Sequence, residues 1–401
     1  MTGLGEATKG TDVYRQDDYL PTPTVQSHAA NLMPLPARDL GCAWFGGTQE
    51  GLADINIWFA RLAPDGQWSA PIRVSDDPRR SEQNPVLFVT PDGELWVLYT
   101  AQHAGRQDTA EVRARTSVDG GRSWSAQRTL LAATESAGVF VRQPITVLSS
   151  GRWLLPVFLC VRPESGRWVG DHDISAVYSS DDRGKSWQRH DVPASTGCVH
   201  MNIVQVDDRN LLALFRRRQA DAIYLSRSTD GVTWSEPEPT ELPNNNSSIQ
   251  ATACRDGRLA VVFNASSAED AGTRRLSLYD EISDDGLGTI DPATQDTGPA
   301  AATQESAGVA FWGAPRAPLT LAVSSDGGRS WPLRRDLEVG DGYCLSNNSR
   351  EGHNRELSYP SITQTADSAL HVAFTYHRQA IKHIRLAPEW ARAEGEACRA
   401  H

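Results

Sequence analysis

Three observations predict an all-β fold, a six-bladed β-propeller of four-stranded antiparallel blades with Asp-box turns. The first is an internal repeat: "SVDGGRSW" at 117, "SSDDRGKSW" at 179, "STDGVTW" at 228 and "SSDGGRSW" at 324, with a worn copy, "APDGQW", at 63. The copies recur roughly every 50 to 60 residues, and the last step is about twice as long. The second is a fixed order of apolar runs within a repeat, as in "NPVLFVT", "PDG", "ELWVLYTA", "EVRARTS", the box and "AQRTLLA", which reads as a meander of four strands. The third is the number of such meanders, which begin near "SHAANLMPL", "NPVLFVT", "RQPITVLS", "MNIVQVD", "SSIQATA" and "LSYPSITQT". Blades set radially leave only short sheet edges and need no helices.

In chain order, a polar N-terminal segment, 1–23, precedes a propeller expected over 24–388, and a C-terminal tail follows at 389–401. The sixth meander ends at "IKHIRL" without a box, so residues 11 to 20 are expected to supply its outer strand and close the ring. After the strand "RLAVVFNAS" (258–266) a Gly-, Ala-, Asp- and Thr-rich stretch runs without strand alternation until "APLTLAVSSDGGRSW". Residues 267–314 therefore read as an excursion from the fifth blade that covers one face of the protein.

The repeated box reads as a turn between the third and fourth strands of a blade. Gly120 and Gly121 can take positive φ, the Asp119 carboxylate can accept backbone N–H bonds, and Trp124 can cover the apolar edge. The box aspartates are read as Asp65, Asp119, Asp181, Asp230 and Asp326. Similar copies spread around a ring cannot share one pocket, so the chemistry is expected in what the repeats do not share.

Composition narrows the partners. The 401 residues are 39% hydrophobic and 22% charged, ample for a globular core, and no run approaches a membrane span. A formal charge of −11 argues against nucleic acid or an anionic membrane as partner, so an anionic ligand would need a local cluster of Arg. Cys42, Cys160, Cys198, Cys254, Cys344 and Cys398 are scattered without a CxxC pair and are expected as buried thiols. The polar start lacks the basic-then-apolar order of a secretory signal, which gives a cytoplasmic expectation. "GDHDIS" at 170–175 has metal-ligand residue types but no partner motif, so no metal or cofactor is expected.

With these boxes, the chain resembles the sialidase (neuraminidase) superfamily of six-bladed propellers, whose Asp boxes read S-x-D-x-G-x-x-W, over roughly residues 24–388. The resemblance implies a nucleophilic Tyr at Tyr359 in "LSYPSITQ" and a carboxylate-binding Arg at Arg316 in "PRAPLTLAVSSDGG". It places a second such Arg at Arg217 in "FRRRQADAIYLSRSTDG", beside Arg216, and a substrate contact at Asn245 in "LPNNNSSI". The acid/base Asp of the first-blade loop would be Asp54 in "GGTQEGLADINIW". Two positions depart from the family. "QSHAANL" has His28 where an F/Y-R-I-P motif would put the first clamp Arg, and "GCVHMNIVQV" has His200 and Met201 where a Glu would polarise the Tyr. His200 is then the expected base, with Glu356, three residues before Tyr359, as the second choice.

The chemistry explains the residue types. Arg pairs bind a sugar carboxylate through bidentate, charge-assisted bonds. A Tyr nucleophile avoids setting an anion against an anionic substrate. A phenol of ordinary pKa about 10 needs a neighbour to take its proton as it attacks. The implied activity is an exo-glycosidase acting on a terminal acidic sugar, either sialic acid or a related keto-deoxy or uronic sugar. Two alternatives stay open: a lyase that cleaves a uronate by β-elimination, and a non-catalytic glycan-binding propeller. The expected partner is an acidic carbohydrate, and the sequence is silent on oligomeric state.

Overall fold

A computed structural model describes residues 12–36, 39–275, 277–279, 281–282, 298–299 and 308–391. Among them, six antiparallel sheets of four-strand order follow one another as meanders, the blades of a propeller. The inner strands are Gln26–Pro34, Ser81–Val89, Ala137–Val141, Cys198–Asp207, Gln250–Ala253 and Leu357–Gln364. The outer strands of the first five blades are Ile72–Arg73, Arg128–Leu131, Gln188–Asp191, Glu238–Pro243 and Leu333–Glu338. Arg15–Tyr19 is the outer strand of the sixth and pairs with Ala380–Leu386, Arg15 opposite Leu386 and Tyr19 opposite Lys382. Pairing between two ends of the chain closes the ring.

In the fifth blade Leu259–Asn264 pairs directly with Leu319–Ser324, so the strands on either side of residues 265–318 are neighbours in the sheet. Apolar side chains fill the spaces between blades. Phe88, Trp96 and Trp153, from the second and third blades, meet edge to face with centroids 4.8 to 6.4 Å apart.

The box turns are held by their own side chains. Asp119 Oδ1 accepts from the N–H groups of Arg122 and Ser123 (2.9 Å each), Asp119 Oδ2 accepts from the Ser123 hydroxyl (2.6 Å), and the Ser117 hydroxyl accepts from Gly121 N–H (2.8 Å). Asp230 and Asp326 receive bonds from their own turns in the same way. In the third blade the carboxylate in this place belongs to Asp182, not Asp181: Asp182 accepts from Lys185 and Ser186, whereas Asp181 pairs with Arg152. The box there holds two adjacent aspartates, and spacing to the following Ser selects the second. The cysteines among the described residues, Cys42, Cys160, Cys198, Cys254 and Cys344, are free thiols.

A second repeated feature lies at the inner strands. Pairing slips between His28 and Asn31 in the first blade, Gln83 and Val86 in the second, Val199 and Asn202 in the fourth, and Ser358 and Ser361 in the sixth. At each slip one residue is left-handed: Ala29 (φ 59°), Asn84 (φ 48°), His200 (φ 54°) and Tyr359 (φ 52°). Asn246 (φ 55°), just before the inner strand of the fifth blade, does the same. A bulge re-aims side chains out of the strand's alternation, at a backbone cost of roughly 1–2 kcal/mol for a residue other than Gly.

Candidate active site

Left-handed residues of three blades meet at Arg216. Its Nε donates to Asn246 Oδ1 (2.7 Å), its Nη1 donates to the Tyr359 hydroxyl (2.6 Å), and Nη1 also stands 3.5 Å from His200 Nε2. Arg216 Nη2 and His200 Nδ1 are buried without a partner among the described residues. Two more guanidinium groups approach the Tyr359 ring, Arg142 at 5.4 Å and Arg316 at 5.5 Å from its centroid. The His28 ring lies 4.3 Å from the Tyr359 ring on another side, held by a 2.8 Å bond between Nδ1 and the Thr375 hydroxyl.

Strand alternation decides which arginine of "FRRR" faces this cluster. Arg216 and Arg218 point inward and are buried, and Arg218 pairs with Asp173 at 2.7 Å. Arg217 points the other way: its Nη1 donates to the Thr196 carbonyl, and its guanidinium lies over Tyr224 at 4.5 Å. The arginine against Tyr359 is therefore Arg216, and the position expected for Arg217 is corrected by one residue. The asparagine run shifts likewise. Asn245 donates to the carbonyl of Pro315 (2.7 Å) and to Ser266, bracing the chain, while Asn246 holds Arg216.

Glu356 is enclosed but does not serve Tyr359. Its carboxylate takes hydrogen bonds from Arg316 (2.8 Å) and the Ser358 hydroxyl (3.0 Å) and forms an ion pair with Arg378 (2.9 Å). Burial alone would push Glu356 up, but Arg316 and Arg378 hold it below the usual carboxylate value, so it stays ionised and occupied. Arg378, from the hairpin after Leu370–Tyr376, also pairs with Glu50 at 2.5 Å and reaches within 3.4 Å of His28 Nε2. From the first-blade loop it is thus Glu50 that enters the buried network. Asp54 is exposed, and its carboxylate accepts the Thr48 N–H (3.0 Å) within the loop.

The charges do not balance at the centre. Arg316 and Arg378 share Glu356, Arg378 also has Glu50, and Arg218 has Asp173. Arg142 is instead ringed by carbonyls, donating to Ala30, Tyr359 and Pro360 (3.1, 3.1 and 3.2 Å), so it bolts the third blade to the first and sixth. Burial pushes Arg142 down to about 10 and Arg216 down to about 9, because neither cation has a carboxylate to offset its desolvation. Burial first, then the surrounding arginines, drives His28 and His200 well below the ordinary histidine value, so both are neutral. The arrangement favours a bound anion and supplies neutral imidazoles beside a phenol.

Sequence reasoning did not single out Arg142, Arg378, Glu50 or Asn246. Aligning the inner strands, "QNPV", "RQPI" and "YPSI", would have drawn attention to Arg142. The end of the excursion covers the site. Phe311 N–H donates to the Arg218 carbonyl (2.7 Å), Asn246 donates to the Phe311 carbonyl (2.8 Å), and the Trp312 ring faces Arg216 at 5.5 Å. Tyr359 and Arg316 each keep only 6% of their surface exposed. A groove of about 510 Å³ lined by Phe59, Arg61, Trp68 and Gly121 lies on the box-bearing side and is separate from this cluster. Among the described residues no group of three or more His, Cys, Asp or Glu side chains is placed to hold a metal ion.

Residues 38–372 match the sequence profile of the BNR repeat-like domain. The chain belongs to that family. This BNR repeat-like protein shares its fold with sialidases of known structure. It is similar to the Hadza microbial sialidase Hz136, at 14% identity and a TM-score of 0.65, over 92% of this chain and 67% of the other. It is similar to the NanB sialidase of Streptococcus pneumoniae, at 12% identity and a TM-score of 0.62, over 94% of this chain and 70% of that one. A protein of unknown function from Dyadobacter fermentans matches end to end, with 94% and 99% of the two chains covered, 14% identity and a TM-score of 0.64. Among curated proteins no sequence matches. The sialidase-superfamily resemblance stands, and at these identities the likeness is one of fold.

Proposed function

We propose that the axial site binds a sugar by its carboxylate and cleaves the glycosidic bond of that sugar, with Tyr359 as the reacting group. The observation that carries this reading is the convergence of Arg216 and Arg316 on the Tyr359 phenol in a buried site with a surplus of positive charge. A planar carboxylate would take the free Nη2 of Arg216 and a donor of Arg316 in place of water. In hydrolysis Tyr359 attacks the anomeric carbon as its proton passes to a base, and the glycosidic bond breaks as the leaving oxygen takes a proton from water or from the protonated base. A water then displaces the Tyr359 oxygen and releases the sugar. Neutral His200 is the base within reach of the group that holds the phenol. Asp54 would protonate the leaving oxygen only if its loop turned inward.

A second reading is favoured by one observation: the hydrogen bond recorded to the Tyr359 hydroxyl comes from a guanidinium and not from a carboxylate. Tyr359, His200 and Arg216 together suit β-elimination on a uronate. An imidazole or phenolate takes the proton beside the carboxylate, Arg216 stabilises the enolate charge, and the leaving oxygen departs with a proton. A panel of sialosides and uronosides incubated in ¹⁸O-water separates the two. Hydrolysis puts ¹⁸O at the anomeric carbon, elimination gives an unsaturated product that absorbs in the near ultraviolet, and binding without turnover across the panel contradicts both.

A further inference from the structure

Beside the arginine cluster the second blade buries a set of uncharged amides. Gln83, Asn84, Gln102 and Gln107 are all buried, and three of them aim at one atom, the Tyr279 hydroxyl of the inserted excursion. The Nε2 atoms of Gln83, Gln102 and Gln107 stand 3.4, 3.1 and 3.1 Å from that oxygen. The two lone pairs of the phenol take Gln102 and Gln107, its proton points to Gln83 Oε1 (3.5 Å), and Gln83 Nε2 also donates to the Ser81 hydroxyl (2.9 Å), so three amides read a single hydroxyl. Gln102 Oε1 and Asn84 Oδ1 meanwhile have no partner among the described residues. Turning the Gln102 amide over would exchange one orphaned atom for another. An apolar plug needs no such groups, and burying half-satisfied amides is costly. Several hydroxyls, each able to donate and accept, would satisfy this amide set.

The amides adjoin the reacting group through the fold. Asn84 occupies in its blade the same left-handed bulge that His200 and Tyr359 occupy in theirs. Tyr279 packs in one apolar cluster with Trp312 and Phe158, and the Phe158 ring lies 5.0 Å from His200. The excursion is tied down next to Tyr279, where the Glu281 carboxylate accepts from Asn347 N–H (3.0 and 2.9 Å) and from Gln49 Nε2 (3.3 Å).

We propose that Gln83, Asn84, Gln102 and Gln107 form a subsite for the hydroxyl groups of a sugar, and that the Tyr279 hydroxyl occupies it until a ligand displaces that side chain. The subsite is uncharged, so it reads the neutral part of a ligand whose carboxylate Arg216 holds. In this respect it rests on the sugar-acid reading above. Displacement makes Tyr279 a competitor within the same chain, and every ligand must first shift that equilibrium.

Calorimetric titration with N-acetylneuraminic acid, glucuronic acid, 3′-sialyllactose and lactose tests the proposal on the full chain. Tyr279→Phe, which keeps the ring and removes the competing hydroxyl, is expected to bind the sugars roughly tenfold more tightly than the parent protein. Gln102→Leu is expected to bind them roughly tenfold more weakly, and Gln102→Met, of similar volume, guards against a folding defect. Unchanged affinity in Tyr279→Phe or in both Gln102 variants overturns the subsite, as does failure of all four sugars to bind any of these proteins. Arg216→Gln separates the two claims. If it alone abolishes binding of the acids, the sugar-acid reading holds and the subsite fails. If lactose responds to the Tyr279 and Gln102 changes while no ligand responds to Arg216→Gln, the subsite holds and the sugar-acid reading fails.

Discussion

The outer box turns and the inner bulges are both repeated around the ring, but they repeat different things. At the boxes the side chains recur: Asp119, Asp182 and Asp326 each gather two N–H groups and a Ser hydroxyl of the same turn. At the bulges the backbone recurs, left-handed at Ala29, Asn84, His200 and Tyr359, while the side chains differ from blade to blade. A ring that repeats its side chains can only hold itself together with them. A ring that repeats a backbone turn and varies what it carries can assemble unlike groups at the axis. The hub therefore pays in backbone strain for a phenol, an imidazole and an amide around one guanidinium.

Breaking the hub should cost function first. Tyr359→Phe should lower turnover by about 10³-fold or more while affinity for the sugar changes only a few-fold, as steady-state kinetics and titration would show. Turnover within tenfold of the parent value would remove Tyr359 from the reaction.

Acid should act through histidines. In the sixth blade His371 and His383 stack with centroids 5.2 Å apart. Burial first, then Arg385 at His371 and His371 at His383, pushes them down to about 4 and about 3. Unfolded histidine titrates near 6.5, so between about pH 6.5 and pH 4 the unfolded chain binds more protons than the folded one. The stability is thus complete above pH 6.5 and is lost as pH falls. His371 alone accounts for about 2 kcal/mol between pH 7.5 and pH 5, before the loss at His28 and His200 is added. Urea unfolding at the two pH values measures it, and equal stabilities would contradict the buried, neutral assignment.

Breaking a box should cost least. Asp119→Ala should lower the melting temperature by roughly 2–5 °C and leave turnover per folded molecule unchanged. A loss of turnover with an unaltered melting curve would give the box a chemical role.

Most of the frame was legible because repetition is visible in a single sequence. The box spacing located the blades, and the strandless stretch after "RLAVVFNAS" marked where the chain leaves the fifth sheet. The hub was legible in part. Tyr359, Arg316, His28, His200 and Glu356 lie in one buried network, but the register of "FRRR" and "NNN" was misjudged by one residue. Strand alternation with bulges sets those registers, and a bulge leaves no mark in residue type. Arg378 and Glu50 come from a hairpin and a loop that carry no motif, and only the closed ring brings them to Glu356.

The register of "FRRR" allows the most direct test of the hub. Arg216 and Arg217 are neighbours of identical chemistry, one against Tyr359 and one over Tyr224 on the opposite face. Titrating Arg216→Gln and Arg217→Gln with the acidic sugar that the parent protein binds, and checking both variants for parent-like melting curves, compares the two faces of one strand. The account predicts a loss of roughly 30-fold or more in affinity for Arg216→Gln and a change within about twofold for Arg217→Gln. Equal losses, or a larger loss at Arg217, would contradict it.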